Sequence, residues 1–249
     1  MKIIFGILLT LLISVNQLWS QGNKETRIPL LGEFAPKFTA ESTKGKITFP
    51  DDYVMKWKIL FSHPSDFTPV CSSEIIELAS MQDDFKKLET QLVVISTDGL
   101  ESHVAWVKSL EAVKYKEKTT LKINFPLVAD NSRVVSKMYG MIHSYTSITK
   151  DVRGVFIIDP NDRVRAVFFY PSEVGRNIEE IKRTLIALQT TEKKNVLTPA
   201  NWMPGQDYLL HAPKSKAEAD KLSQKHDPEL YSLDWYFWFE KAKVPVSPQ

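Results

Sequence analysis

The sequence predicts an α/β fold, because short apolar segments with strand character alternate with segments of helical period. The alternation runs from Trp57 to Val113, and a hairpin pattern follows between Gly154 and Tyr170. The chain has 249 residues and is 43% hydrophobic, which is ample for a buried core. Its net charge of +2 comes from interspersed acidic and basic residues, so we expect no nucleic-acid partner.

The first segment, residues 1–20, has the features of a secretory signal peptide. Lys2 is followed by an apolar run from Ile3 to Val15, and the small residue Ser20 precedes a polar stretch. The run is shorter than the roughly 20 residues that a membrane-spanning helix needs, although an uncleaved anchor is an open alternative. We therefore expect an exported protein, periplasmic or secreted, that is not inserted in a membrane after cleavage.

The first long strand and the first long helix meet at a short polar loop. Trp57 to Ser62, WKILFS, is typical of a buried strand, and from Pro69 onward apolar residues recur at helical spacing. Thr68 is the expected N-cap and Pro69 the first helical residue. The Thr68 hydroxyl is expected to accept a backbone N–H and to keep its own proton for a ligand. Cys71 therefore lies in the first turn of a helix.

A second strand, a second helix and a third strand continue the alternation. QLVVIST, Gln91 to Thr97, predicts a buried strand, a helix follows from Glu101, and FPLVAD near Phe125 predicts a short strand. The helix is expected to bury one aliphatic side, formed by Val104, Val107, Leu110 and Val113. Two other residues of this helix, His103 and Trp106, are assigned to packing rather than to catalysis.

The last part of the predicted sheet is a hairpin followed by a helix. GVFIID and RVRAVFFY, joined by PND, predict two antiparallel strands. A helix is expected from about Asn177 to Thr190, with an apolar set of Ile178, Ile181, Leu185, Ile186 and Leu188.

The composition of the chain changes near Thr191, where prolines become frequent and no long hydrophobic periodicity is found. We predict one domain over residues 26–190 and a small C-terminal domain over residues 191–249. The aromatic run from Trp235 to Phe239 is either a strand that packs on its own domain or a subunit interface, and the sequence favours neither.

Cys71 is the one cysteine of a chain that looks exported. Exported proteins usually carry cysteines in even numbers, as disulfides. A lone cysteine is a buried inert thiol, an intermolecular bridge or a reactive thiol. The helix start favours the third, because unpaired N–H groups and the helix dipole stabilise an anion there. Arg153, at the start of a strand, is a second candidate for stabilising the thiolate.

Several motifs together resemble one family. PSDFTPVC, Pro64 to Cys71, matches the P-x-x-x-T-x-x-C signature of peroxiredoxins, with LFSH before it and SSE after it as in their one-cysteine, peroxiredoxin 6-like subgroup. HVAWVKSL, FPLVAD, VRGVFIIDP, VFFYPSEVGRN and LTPANWMPGQ recur in the same order in that subgroup. The resemblance extends from about Ile28 to the C-terminus.

This resemblance implies a thioredoxin-like fold, with a central mixed sheet flanked by helices and a C-terminal peroxiredoxin domain used for dimerisation. It implies a thiol-dependent peroxidase in which Cys71 attacks hydrogen peroxide or an organic hydroperoxide and becomes a sulfenic acid. Thr68 would bind the peroxide, Arg153 would stabilise the charge and Pro64 would screen the site. Supporting roles are implied for three residues: His63, Arg176 and Glu74. No cofactor and no metal are implied.

The implied partners follow from the single cysteine. An external thiol must reduce the sulfenic acid, because the chain has no second cysteine to do so. The resemblance implies a homo-oligomer, a dimer or a ring of dimers. The phospholipase activity of some relatives is not expected, since Lys56 stands where their serine would. An oligomeric holdase chaperone and a redox-sensing module without turnover are the alternatives to a peroxidase.

Overall fold

The structure, a computed structural model, describes residues 27–116 and 121–243, so the predicted signal peptide at residues 1–20 lies outside the described residues. A five-stranded sheet forms the centre, and a two-stranded hairpin precedes it. The hairpin is β1 (Phe38–Ala40) and β2 (Ile47–Phe49), and the sheet is β3 (Trp57–Ser62), β4 (Thr90–Ser96), β5 (Leu127–Ala129), β6 (Arg153–Ile158) and β7 (Val164–Tyr170).

The sheet has the order β5-β4-β3-β6-β7, with β3 in the middle. β3 pairs in parallel with β4, and β4 with β5, whereas β6 is antiparallel to both β3 and β7. All six residues of β3 are buried, as expected for a strand covered on both sides. The predicted α/β fold with a mixed central sheet and the predicted hairpin are thereby confirmed.

The part of the chain that the structure describes has five α-helices and one short 3-10 helix, Asp51–Tyr53, and no helix there is long and apolar enough to cross a membrane. The α-helices are α1 (Pro69–Lys87), α2 (Leu100–Ala112), α3 (Val134–Met138), α4 (Ile178–Lys194) and α5 (Lys216–Ser223). α4 begins where expected, with the Asn177 side chain accepting the backbone N–H of Glu180, and runs past the expected end at Thr190.

The expected buried side of α2 is only partly right: Leu110 is buried and Val107 packs against the core, but Val104 and Val113 are exposed. Val104 is 53% exposed and Val113 is 44% exposed, whereas His103, Trp106 and Leu110 are buried. Residues 103, 106, 107 and 110 share one face of the helix, whereas Val104 is rotated away from it and Val113 lies beyond the last helical residue. That face is set by the bulk of the Trp106 ring in the core and by a hydrogen bond of His103, neither of which an aliphatic pattern shows.

The core has two layers, one on each face of the sheet. One contains Phe61 of β3 with Ile75 of α1, Trp106 of α2 and Leu185 of α4. The other joins alternate strand residues to the β1–β2 hairpin and α3; its buried side chains include Phe38, Phe49, Leu60, Val93, Tyr139 and Phe156. Alternation along β3 thus divides its side chains between two apolar layers, which holds the end of the strand rigidly in place.

The C-terminal region forms a separate three-stranded antiparallel sheet. Its strands are β8 (Tyr208–Leu209), β9 (Leu230–Asp234) and β10 (Phe237–Glu240), in the order β8-β10-β9. Trp238 is buried within this region, while Trp235 is 37% and Tyr236 is 52% exposed. The aromatic run therefore divides: one part packs on its own domain and another faces outward. The predicted domain boundary at residue 191 and the interface stay predictions.

Candidate active site

The topology brings Cys71 and Arg153 together although 82 residues separate them. β3 and β6 are antiparallel, with Phe61 opposite Val155, so the first residue of β6 lies beside the last residue of β3. α1 begins in the same place, after the loop that follows β3. The sulfur in its first turn therefore faces the start of β6.

The Arg153 guanidinium is fixed against the sulfur. Its Nη1 donates to Cys71 Sγ at 3.3 Å and to Glu74 Oε2 at 2.7 Å, and its other nitrogens donate to the Ser172 carbonyl. Cys71 is 1% exposed and Arg153 is 2% exposed. A guanidinium and a helix N-terminus thus both present positive charge to a sulfur that is shielded from water.

Glu74 lies between two buried arginines. Arg176 Nη2 donates to Glu74 Oε2 at 2.6 Å and its Nε donates to Oε1 at 2.8 Å, a two-point contact. Arg176 Nη1 also donates to the carbonyls of Ser62 and Gly154, and the guanidinium stacks 3.3 Å from the Phe61 ring centroid. Burial lowers the pKa of Arg176, and the Glu74 carboxylate acts against this. We call Glu74, Arg153 and Arg176 the arginine cluster.

A close backbone contact holds β6 against β3 at this point. Gly154 N donates to Ser62 Oγ at 2.9 Å, and Ser62 Oγ donates to the Val152 carbonyl at 2.7 Å. A Cβ at Gly154 would lie 3.0 Å from Ser62 Oγ and 3.1 Å from a ring carbon of Phe169. Glycine at this position therefore permits the approach that places Arg153.

The loop from His63 to Thr68 covers the start of α1. Thr68 is the N-cap, but its side chain makes no capping hydrogen bond; instead Oγ1 donates to the Ser65 carbonyl at 2.9 Å. The expectation that this hydroxyl accepts a backbone N–H and keeps its proton free is therefore wrong. The loop turns so tightly that Phe67 has a φ of 54°, which carries the Ser65 carbonyl to the hydroxyl. The oxygen lone pairs remain available to a ligand. Pro64 is half-buried in the same loop.

His63 is fully buried at the end of β3. Burial, followed by the nearby His103 and the Arg176 guanidinium, lowers the pKa of His63 to about 3, so the ring is neutral at neutral pH. Its ring packs 5.0 Å from the Trp106 ring centroid. An imidazole that stays neutral at neutral pH has no extra proton to donate. This fits a supporting role rather than acid catalysis.

Sequence reasoning missed the polar contacts that hold the loop. Asp66 contacts His103 on α2, and the Asp66 backbone N–H donates to Asp98 Oδ2 at 2.7 Å. Lys150 in turn donates to Asp98 Oδ1 at 2.7 Å and to the Ser65 hydroxyl. Asp66 stands inside the PSDFTPVC motif and could have been singled out there, but no local signal pointed to Asp98 or Lys150.

Comparison with known proteins identifies the family. Residues 31–167 match the model of the AhpC/TSA family, and residues 187–225 match the C-terminal domain of 1-Cys peroxiredoxin. A peroxiredoxin of Methanosarcina mazei is 45% identical over 215 residues, which are 86% of this chain and 98% of that protein. A peroxiredoxin of Thermotoga maritima is 44% identical over 222 residues, 88% of this chain and 100% of that protein.

The solved structures that resemble this chain are also peroxiredoxins. A yeast mitochondrial 1-Cys peroxiredoxin has a TM-score of 0.74 and 33% identity, covering 86% of this chain and 100% of that one. A cysteine-to-serine mutant of peroxiredoxin 6 from Arenicola marina has a TM-score of 0.73 and 33% identity, covering 88% and 99%. The C-terminal match and the single buried cysteine agree with the one-cysteine type. This chain therefore belongs to the peroxiredoxins of the AhpC/TSA family, as a one-cysteine, thiol-dependent peroxidase.

Proposed function

We propose that Cys71 is the peroxidatic cysteine and that Arg153 and Thr68 act with it on hydrogen peroxide and organic hydroperoxides. The observation that carries this proposal is the 3.3 Å contact between Arg153 Nη1 and Cys71 Sγ, with the guanidinium held at its other donors by Glu74 and Ser172. A donor that is already oriented stabilises charge in the transition state without reorganisation.

In the first step the Cys71 thiolate attacks the terminal oxygen of the hydroperoxide. An S–O bond forms as the O–O bond breaks, two electrons pass from sulfur to oxygen, and the departing alkoxide or hydroxide takes a proton to leave as alcohol or water. Arg153 stabilises the charge that moves from sulfur to the leaving oxygen. Thr68 Oγ1 accepts the hydrogen bond of the peroxide O–H, since its own proton is donated to Ser65.

The hydroperoxide reaches the sulfur through the loop of Pro64 and Thr68. Cys71 is 1% exposed, whereas Pro64 and Thr68 are partly exposed. Opening of this loop admits substrate and its closure excludes water, which strengthens the electrostatic interactions with Arg153. Pro64 limits the conformations of the loop and screens the site in the closed form.

In the second step an external thiol reduces the sulfenic acid. The thiol displaces water to form a mixed disulfide with Cys71, and a second thiol then releases the Cys71 thiol. The chain has one cysteine, so the resolving thiol must come from another molecule. The thiol of the yeast 1-Cys relative is resolved by glutathione and thioredoxin systems, which supports these reductant classes here.

The test follows peroxide consumption by the full chain with dithiothreitol as the supplied thiol. We expect consumption by the wild type and none by Cys71→Ser, and a tagged dione should label Cys71 after a peroxide pulse. Consumption by Cys71→Ser would contradict the proposal. Labelling without turnover would indicate the redox-sensing module instead. Nothing in the comparisons favours the holdase.

We propose further that the mature protein is exported and forms homo-oligomers. The pattern of residues 1–20 supports export, and mass spectrometry of the N-terminus of protein recovered outside the cytoplasm tests it. The exposed Trp235 and Tyr236 support an interface in the C-terminal region. Light scattering of the wild type and of Trp235→Ser with Tyr236→Ser tests the second part. A monomeric wild type would contradict it.

A further inference from the structure

Three buried side chains that the proposed reaction does not use as reacting groups meet beside the site. His63, Asp66 and His103 each offer a ligand atom, and these atoms lie within 4.8 Å of one another. Both rings are 0% exposed and Asp66 is 6% exposed. We call these residues the histidine cluster. Two imidazoles and one carboxylate are a donor set that suits a borderline divalent ion such as Zn²⁺.

Both ring nitrogens of His103 face hydrogen-bond acceptors. Its Nε2 lies 3.1 Å from the Val128 carbonyl, which can only accept, so Nε2 carries a proton and donates it. Its Nδ1 lies 2.9 Å and 3.0 Å from the two oxygens of Asp66. A lone pair and a carboxylate at that separation need a proton or a metal ion between them. In metal-binding histidines one ring nitrogen usually binds the ion while the other donates its N–H to a backbone carbonyl or a carboxylate.

The unpaired ring nitrogens of His63 are a second, independent indication of a ligand at this position. Among the described residues neither of its ring nitrogens has a hydrogen-bond partner. Its Nε2 points at Asp66, 3.7 Å from Oδ1. A fully buried imidazole without a partner is costly, and the position that its nitrogen faces is the one already bounded by Asp66 and His103.

The separations fit a tetrahedral ion. Bonds of about 2.0–2.1 Å place neighbouring ligands of tetrahedral zinc about 3.4 Å apart. Two edges of the cluster, 3.0 Å between His103 Nδ1 and Asp66 Oδ1 and 3.7 Å between His63 Nε2 and the same oxygen, lie on either side of that length. The third edge, between the nitrogens of the two rings, is no longer than 4.8 Å, so the loop must move slightly towards α2 to bring all three atoms to bonding distance.

We propose that His63, Asp66 and His103 form a buried site for one Zn²⁺ ion per chain, in addition to the peroxide site. In the bound form the ion lies between His103 Nδ1 and Asp66, where the two side chains already face each other. His63 and Asp66 both belong to the loop that leads to Thr68, so the bound ion ties that loop to α2. Because both rings are buried, the ion enters only as the loop opens.

The test is equilibrium dialysis of the full chain against ZnCl₂ in a non-chelating buffer. All variants carry Cys71→Ser, which removes a thiolate that would bind zinc itself. We expect one bound Zn²⁺ per chain and a weakening of about 100-fold or more on adding His63→Gln, because one of three ligands is lost. The matched control adds His211→Gln and His226→Gln, two exposed histidines, and should bind as tightly as the parent.

Two outcomes would overturn the proposal: no zinc bound by the parent, or equal binding with and without His63→Gln. Asp66→Asn gives a second variant should His63→Gln fail to fold. Cobalt(II) gives a direct readout, since tetrahedral coordination by nitrogen and oxygen produces intense visible absorption bands. These bands should be present in the parent and in the surface control and absent from His63→Gln.

Discussion

The arginine cluster and the histidine cluster both adjoin the segment from Ser62 to Cys71, yet they are built in opposite ways. In the first, Glu74 and both arginines are paired, and the spare donors of Arg176 reach backbone carbonyls. In the second, His63 has no hydrogen-bond partner among the described residues, and His103 Nδ1 and Asp66 need a proton or an ion between them. A saturated network holds a charge in one geometry, whereas an unsaturated one leaves room for a proton or an ion.

The largest expected effect is on stability, and it tests whether the charges of the arginine cluster depend on one another. Glu74→Gln leaves two buried guanidiniums without their shared counter-ion, so we expect about 3–5 kcal/mol less free energy of unfolding. The matched control is Glu180→Gln, which breaks the partly exposed ion pair with Arg183 and should cost about 1 kcal/mol or less. Urea unfolding measures both. Equal losses in the two variants would show that the cluster is not a single charged unit.

The second effect tests the role of Arg153 in chemistry. Arg153→Met keeps most of the buried side chain but removes the donor at Cys71 Sγ, so we expect peroxide to oxidise Cys71 about 10²–10³-fold more slowly. Stopped-flow tryptophan fluorescence measures this rate. Arg165→Met, which removes an arginine bound to Asp159 and Glu192, is the control and should react at the wild-type rate. A wild-type rate for Arg153→Met would remove the basis of the proposed mechanism.

The third effect concerns Asp151, a buried carboxylic acid that, like His63, has no hydrogen-bond partner among the described residues. Asp151 is 3% exposed and neither carboxyl oxygen has a partner among the described residues; the nearby Ser136 hydroxyl donates to Asp130. Burial, with the Asp130 and Asp98 carboxylates, raises the pKa of Asp151 from its ordinary 3.8 to about 8, against the effects of the nearby Ser136 hydroxyl and of Lys150. The folded state therefore binds an extra proton between these two pH values.

Stability should consequently fall as the pH rises towards 8, by about 1 kcal/mol per pH unit, because the unfolded chain has already lost that proton. Asp151→Asn cannot ionise, so its free energy of unfolding should lose this slope between pH 6 and pH 8. Asp84→Asn is the control: Lys182 lowers the pKa of exposed Asp84, so its contribution is lost only in acid. An unchanged slope in Asp151→Asn would mean that this acid is ionised in the fold.

The smallest effect concerns the loop that both clusters adjoin. Thr68→Val removes the hydroxyl that donates to Ser65 and that accepts from the peroxide, so we expect roughly fivefold to tenfold slower oxidation of Cys71. Thr48→Val, which removes a surface hydroxyl contact with Thr39, is the control. Stopped-flow mixing with hydrogen peroxide compares the two. Oxidation at the wild-type rate in Thr68→Val would restrict the Thr68 hydroxyl to its structural contact with the Ser65 carbonyl.

Much of the fold follows from local pattern. The strand Trp57–Ser62 and the start of α1 at Pro69 agree with the sequence-based expectation, because an apolar run and an N-cap followed by proline are signals within a few residues. Only part of the buried side of α2 was predictable in this way: Leu110 fits the aliphatic pattern, whereas His103 and Trp106 are buried by contacts with Asp66 and with the core.

The sequence by itself determined that a lone thiol begins a helix after a buried strand, since capping and hydrophobic periodicity are properties of neighbouring residues. Only the tertiary structure decided which charges meet it. Glu74 and Arg176 are 102 residues apart, and Arg153 reaches Cys71 because β6 runs antiparallel to β3. Pairings across such separations depend on strand order and direction, which no local pattern encodes.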